Sequence, residues 1–384
     1  MGRAEQGSGV RRSSHSLVRL KPSKKHWEYL LKQPLIFRLG SAAPVMRICI
    51  VGGIFDKPAD YRLQHSMSPE TVLADGLSQR GWQVTVAGHA APSPPENFDV
   101  IHVHHFGRAA LCLAAAAGRP PFVFTTHDPF AMNGLRVGWR RRLTDGFVLQ
   151  KADIVVALSE AERNFLISRR GLSPERVAII PNGVSTEIFR PTSEPNEASS
   201  DLLFVGQLQE FKGLDYLLDA MPAVRDSCPR VKLRVVYQTG ALLARYRRQA
   251  DRLGLNGSLE FAGPRTASAL AQLYSTAAVV VSPSLGECLS TVVLEAMCCG
   301  AAVVATDVGG IREQLDENTG VVVPPRDSAA LAHAIAALLA DGGQRQRMGQ
   351  AARQKAHSQF NVRQMIDRHV RLYEDLLEID GRAA

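Results

Sequence analysis

From Met46 onward, short uninterrupted runs of aliphatic and β-branched residues alternate with longer stretches whose apolar positions recur at helical spacing. The short runs fall at 47–51, 83–87, 99–103, 121–126, 154–158 and 177–180, and again at 202–206, 231–236, 259–261, 278–282, 302–305 and 321–323. Strands that alternate with helices form parallel sheets covered on both faces, so the pattern predicts an α/β chain with two doubly wound parallel-sheet domains. Between the two sets lies RPTSEPNEASSD (190–201), whose Pro and Glu content reads as an interdomain linker. The predicted division is a basic extension over 1–45, domains over 46–195 and 196–360, and a closing segment over 361–384. A last helix over about 361–379 keeps Val362, Ile366, Val370, Tyr373 and Leu377 on one face and is expected to dock back toward the N-terminal domain. No sequence repeat relates the halves.

Ligands of doubly wound sheets bind outside the carboxyl ends of the strands, so the residues just after each run carry the chemistry. Composition alters the picture only at the N-terminus. The chain of 384 residues is 45% hydrophobic, enough for packed cores, and its longest apolar stretch (109–117) is too short to span a bilayer. Its net charge of +8 suggests a nucleic-acid or anionic-membrane partner until it is mapped. Residues 1–45 hold nine Arg and Lys against Glu5 and Glu28, which leaves the other residues close to neutral. The basicity therefore belongs to a tail, and no nucleic-acid partner is expected. Three readings fit that tail: a non-native upstream extension with the true start at Met46, a disordered basic arm, or a membrane-surface segment using Trp27, Tyr29, Leu30, Leu31 and Phe37. It is a poor signal peptide, because Lys32 and Arg38 interrupt any apolar core. The six cysteines (49, 112, 228, 288, 298 and 299) form no C-x-x-C pair and no zinc-type spacing, and they read as small buried hydrophobes in a reducing cytoplasm.

The most informative window is VSPSLGECLSTVVLEAMCCGAAVVATDV (281–308). A strand ends in Ser-Pro-Ser, a loop carries Glu287, and a helix over about 290–299 carries Glu295 before Gly300 stops it. The amides of Ser290, Thr291 and Val292 at the helix start would make an anion site strengthened by the helix dipole. Two carboxylates beside an anion site suit a sugar nucleotide, since each accepts from vicinal hydroxyls while the amides take the diphosphate. Alone, E-x7-E is more often a surface loop residue followed by a solvated helix residue.

Several further segments accompany it in order. ECLSTVVLEAMCCGAAVVATDVGGIRE resembles the signature of the retaining glycosyltransferases of family 4, which have the GT-B fold. ADIVVALSEAERNFL and VAIIPNGVSTEIFRP resemble that family's last N-domain strands and crossover, LLFVGQLQEFKGLDYLLDAMP its first C-domain strand and phosphate loop, and NTGVVVPPRDSAALAHAI its closing segment. The resemblance covers roughly 46–377. It implies that the domain over 46–195 presents the acceptor and that over 196–360 holds a nucleoside diphosphate sugar of UDP or GDP type, a co-substrate rather than a cofactor. It assigns Glu287 to the donor sugar hydroxyls, Glu295 to the nucleotide ribose and Lys212 to the donor diphosphate. His127 matches a histidine that contacts the donor sugar near the reaction centre. The implied activity is retaining transfer of a sugar to an acceptor hydroxyl, with the departing phosphate helping to deprotonate the acceptor. No metal is required in this family. His102 and His104 share a strand face, where hydrogen bonding at the cleft is favoured over metal binding.

Three departures qualify the match. Gln207 stands where the family usually has Arg, so one diphosphate cation is missing. The family's Gly-Gly falls near Gln64 and His65, leaving Gly52 and Gly53 after the first strand as the close-approach glycines. VVYQTG (235–240) replaces a Gly-rich nucleotide loop. GLRVGWRRRL (134–143) sets four arginines around Trp139, which reads as a solvated helix face or as a basic N-domain surface for peripheral contact at the inner face of the membrane. A sugar-nucleotide epimerase of the same fold and a non-catalytic sugar-nucleotide-binding protein remain open alternatives. A Rossmann oxidoreductase is disfavoured, because no G-x-G-x-x-G follows the first strand.

Overall fold

The computed structural model describes residues 45–64, 67–90, 97–193 and 199–379. The expectations placed on the basic tail and on His65 lie outside the described residues. Twelve strands form two sheets. The first holds β1 (Arg47–Val51), β2 (Gln83–Ala87), β3 (Val100–His104), β4 (Phe122–Thr125), β5 (Ile154–Ala157) and β6 (Val177–Ile179). The second holds β7 (Asp201–Val205), β8 (Lys232–Val236), β9 (Leu259–Phe261), β10 (Val279–Ser282), β11 (Val303–Thr306) and β12 (Val321–Val323). All pairings are parallel. Every strand lies within one residue of its predicted bounds at either end. Interior strands β3, β4, β10 and β11 are buried along their whole length, whereas edge strand β2 is mostly exposed or half-buried. Continuous apolar runs are what a strand with helices on both faces must present.

Strand order decides where each sheet can bind a ligand. The first sheet runs β2-β1-β3-β4-β5-β6 and the second β12-β11-β10-β7-β8-β9. The strand order therefore reverses between β1 and β3 in one sheet, and between β7 and β10 in the other. The loops after such a pair diverge to opposite faces and leave a crevice at the strand ends. Those loops begin at Gly52 and His105 in the first sheet, and at Gly206 and Pro283 in the second.

The helix Val362–Ile379 buries Ile366, Tyr373 and Leu377 in the core of the first sheet, with Val362 and Val370 packed against it. Its contact with helix Pro69–Gln79 is close: a Cβ on Gly76 would stand 2.0 Å from the Ile366 Cδ1. Four of the cysteines are buried, but Cys112 is exposed and Cys228 half-buried, so the expectation of six buried thiols is corrected. The reason is local, since Cys112 sits on the outer face of helix Arg108–Ala115. No helix of the described residues is long and apolar enough to cross a membrane.

Candidate functional site

The second sheet builds one wall of the site at its reversal point. After β7 the chain turns through Gly206 and Gln207 into a short 3-10 turn, Glu210–Lys212, which ends in Gly213 at φ 69°. A Cβ at Gly213 would lie 1.9 Å from the Pro283 carbonyl oxygen, so glycine lets this loop press on the loop after β10. The Leu285 amide donates to the Phe211 carbonyl at 2.6 Å and locks the two loops together. Lys212 and Glu287 are thereby brought side by side, with Nζ donating to Oε1 at 2.7 Å. The Ser284 hydroxyl donates to the same oxygen at 2.8 Å. Glu287 is 7% exposed, and the main chain of its loop is pinned by Gly309, whose Cβ would meet the Glu287 carbonyl at 1.7 Å.

The helix Thr291–Cys298 follows. Its N-cap is Ser290, whose hydroxyl accepts from the Val293 amide, while the first intrahelical bond runs from the Leu294 amide to the Ser290 carbonyl. The Ser290 amide donates to Gln314 Oε1 at 3.1 Å, and the Gln314 amide group returns a bond to the Ser290 carbonyl at 2.8 Å. Ser290 is 3% exposed and does not line the cavity. Of the three amides expected to form an anion site, Ser290 is therefore excluded, and those of Thr291 and Val292 stand first in the helix without intrahelical acceptors. Both residues line the cavity. One turn further in, Glu295 accepts from the Tyr274 hydroxyl at 2.8 Å. Burial pushes the Glu295 carboxyl up to about 7, although the Tyr274 hydrogen bond pulls the other way.

The facing wall comes from the first sheet. His127 follows β4 and His105 follows β3, and both adopt left-handed backbone conformations (φ 47° and 67°) that cost a non-glycine residue energy. Their rings lie 4.6 Å apart. His127 Nε2 pairs with His104 Nδ1 at 2.9 Å, and burial drives both imidazoles well below their ordinary range, so each is neutral near pH 7. His102 does not reach the cleft. It is fully buried, with Nδ1 against the Tyr373 hydroxyl at 2.6 Å and Nε2 against Thr125 at 2.8 Å, so its expected place at the cleft is corrected. His104, at the end of the same strand face, is 2% exposed and reaches His127 rather than the cavity. Among the described residues, no group of three His, Cys, Asp or Glu side chains is arranged to hold a metal ion.

Between the walls lies a cavity of about 420 Å³, lined by His127, Gln207, Lys212, Glu287, Thr291, Val292 and Glu295 from the sequence reading. Gly52 and Gly53 are not among the lining residues. Their close approaches are to side chains behind the wall, since a Cβ would stand 2.8 Å from Glu70 Cγ at Gly52 and 3.4 Å from His89 at Gly53. The lining adds residues that motif reading did not assign: His105 and Asn182 from the first half, and Tyr237 and Gln238 from the segment that replaces the Gly-rich loop. Arg265 also lines it, a second cation in a wall where Gln207 brings none. His105 had one available signal, because it lies two residues beyond the predicted strand over 99–103.

Contacts across the cleft hold the two halves together. Asn133 donates to the Glu287 carbonyl at 3.1 Å. The Glu313 carboxylate accepts from the Glu160 and Ala161 amides at 2.9 and 3.0 Å, capping the start of helix Glu160–Arg170 from the other half.

Comparison with known proteins agrees with this geometry. Residues 94–188 match the model of the Glycosyltransferase Family 4, and 185–355 that of the Glycosyl transferases group 1. A D-inositol 3-phosphate glycosyltransferase of Frankia alni is 35% identical over 297 residues, covering 69% of this chain and 70% of that protein. One of Streptomyces bingchenggensis is 31% identical over 293 residues, covering 70% of this chain and 64% of that protein. The match therefore spans roughly two thirds of the length of these curated relatives. Among solved structures, a sucrose-phosphate synthase from Thermosynechococcus elongatus superposes with a TM-score of 0.75 at 21% identity, over 87% of this chain and 100% of that one. HepE from Anabaena, solved in complex with UDP and glucose, superposes with a TM-score of 0.69 at 21% identity, over 86% and 100%. The chain belongs to the group 1 glycosyltransferases, and its two facing parallel sheets are the GT-B fold.

Proposed function

We propose that this protein transfers a sugar from a nucleoside diphosphate sugar to an acceptor hydroxyl, with retention at the anomeric carbon. The observation that carries the reading is the convergence of Lys212, Glu287 and the start of helix Thr291–Cys298 on one cavity faced by His127. On this reading the diphosphate lies against the Thr291 and Val292 amides, with Lys212 and Arg265 beside it. Glu287 accepts from sugar hydroxyls, and Glu295 from the ribose. The acceptor oxygen bonds to the anomeric carbon on the face that the diphosphate leaves. The breaking bond's electron pair goes to the diphosphate, whose oxygen takes the acceptor's proton. Charge grows on the leaving group in that step, so a fixed ammonium and two aligned amides favour the transition state over the bound donor. The UDP complexes of HepE support a nucleotide sugar as donor. The names of the inositol-phosphate relatives make a phosphorylated polyol a reasonable first acceptor to assay. The test is nucleotide release from UDP- and GDP-sugars with and without D-inositol 3-phosphate, with the product's anomeric configuration read by NMR. Release of nucleotide without transfer to any acceptor, or inversion at the anomeric carbon, would overturn the proposal.

One observation favours acceptor transfer at a membrane surface. Helix Trp139–Lys151 exposes Trp139 (67%), Leu143 (66%) and Phe147 (41%), one turn apart, and Arg136, Arg140 and Arg142 lie beside them. An apolar stripe with cations around it suits the interface of an anionic bilayer. Co-flotation with anionic vesicles, abolished by Trp139→Ser with Leu143→Ser, is the expected outcome; equal flotation of both proteins refutes it.

A further inference from the structure

Behind the N-domain wall of the cavity stands a buried carboxylate that the transfer chemistry above does not use. Glu70 lies in the first turn of helix Pro69–Gln79, with its side chain 4% exposed. Its Oε1 is 2.9 Å from His105 Nε2. The helix start favours a negative charge there. Burial alone would push the carboxyl up, but the hydrogen bond from His105 and the surrounding imidazoles hold it well below the ordinary carboxylate range. An ionised carboxylate only accepts, so Nε2 must carry the proton. Nδ1 has no protein partner among the described residues, and His105 lines the cavity. Two costs are met to keep this arrangement. His105 holds a left-handed backbone, and Gly52 gives up its side chain, since a Cβ there would stand 2.8 Å from Glu70 Cγ. Both residues begin the loops at the β1/β3 reversal, where a crevice is built by topology. Strain maintained at a cavity wall points to function.

We propose that His105, oriented by Glu70, is the acceptor-binding group of the N-domain wall and selects acceptors that carry several hydroxyls. The inference rests on the transfer reading above. Nδ1 binds a hydroxyl neighbouring the attacking one, as acceptor while the imidazole is neutral and as donor when it is charged, because a hydroxyl serves either role. An acceptor with a single hydroxyl leaves that bond unmade. Glu70 acts through His105 and is a positioning residue. The other titratable groups around the pair are His89, His104 and His127, with Asp56 behind His89.

The test compares wild type, His105→Asn and Glu70→Gln. Asn tolerates the left-handed backbone but is too short to reach the cavity, and Gln keeps the shape of Glu without its charge. Acceptor probes are D-inositol 3-phosphate, vesicles containing phosphatidylinositol, and a monohydric alcohol. Expected for His105→Asn is a rise of about tenfold or more in the polyol KM with a much smaller change in the donor KM, and with the preference for polyol over alcohol lost; the thermal midpoint falls as well, because buried Glu70 loses its hydrogen-bond donor. Glu70→Gln should move the same parameters by less. The soluble and vesicle arms show whether the polyol is free or a headgroup. An unchanged polyol KM in His105→Asn, or an equal loss of donor and acceptor binding, overturns the inference. Wild-type protein that releases no nucleotide from any nucleotide sugar overturns the transfer reading instead, and this one with it.

Discussion

Glu295 offers a test of donor geometry that needs no knowledge of the acceptor. Its ordinary value of 4.5 is pushed up to about 7 by burial, with the Tyr274 hydroxyl pulling it back. Between those values the folded chain keeps a proton that the unfolded chain has lost. The stabilisation is therefore fully present below pH 4.5 and is lost as pH rises through 7, by at most about 3 kcal/mol at 1.36 kcal/mol per pH unit. Asp145, pushed up to about 6 by burial, adds a decline in the same window, but it is common to wild type and variant and cancels between them. A ribose donating two hydroxyl protons requires the ionised carboxylate. Donor binding should then expel a proton and be about tenfold weaker at pH 6 than at pH 8, because at pH 6 about nine chains in ten hold the proton. Glu295→Gln keeps the Tyr274 bond and removes the titration. The assay is calorimetric titration with UDP, and with GDP in parallel, at pH 6, 7 and 8 in buffers of different ionisation enthalpy. Titration of the nucleotide's own phosphate is shared by both proteins and drops out of the comparison. Wild type should release a proton that the variant does not, and its midpoint of thermal unfolding should fall with pH more steeply. Equal pH dependence in the two proteins would refute the assignment of Glu295 to the ribose.

Three shorter predictions follow from the same geometry. Lys212→Met leaves the Glu287 carboxylate, whose side chain is 9% exposed, with Ser284 as its remaining hydrogen-bond donor. It should cost about 1–3 kcal/mol by denaturant titration, part of which Glu287→Gln restores in the double variant; strict additivity would show that the pair does not interact. Arg265→Gln should weaken UDP binding by about tenfold, and Gln207→Arg in that background should recover it, since one cation replaces another along the cavity wall; no recovery in titration calorimetry would place Gln207 away from the diphosphate. Glu313→Gln keeps one acceptor for the Glu160 and Ala161 amides but loses the charge at that helix start, so domain closure should weaken. Faster acceptor-free hydrolysis of the donor with a midpoint shift of only a few degrees is expected, and an unchanged hydrolysis rate would argue that this cap does not govern closure.

The strands and their grouping were legible because burial on both faces demands unbroken apolar runs, which are a local property of the chain. The same holds for the helix Thr291–Cys298, whose cap and stop sit within ten residues, and for the apolar face of helix Val362–Ile379. Lys212 and Glu287 were legible singly, by resemblance, but their 2.7 Å contact spans 75 residues and depends on a glycine whose missing Cβ lets two loops touch. Sequence spacing likewise offered Ser290 as a third free amide, and Gln314, brought back by the fold from 24 residues away, had already taken it. Period two placed His102 and His104 on one face correctly, yet could not say that Tyr373, 271 residues on, would cover the first and leave the second beside His127. Apolar patterning is read by solvent, position by position, and so survives in one dimension. Which polar atoms meet is settled by strand order and helix docking, and those are decided only when the whole chain packs.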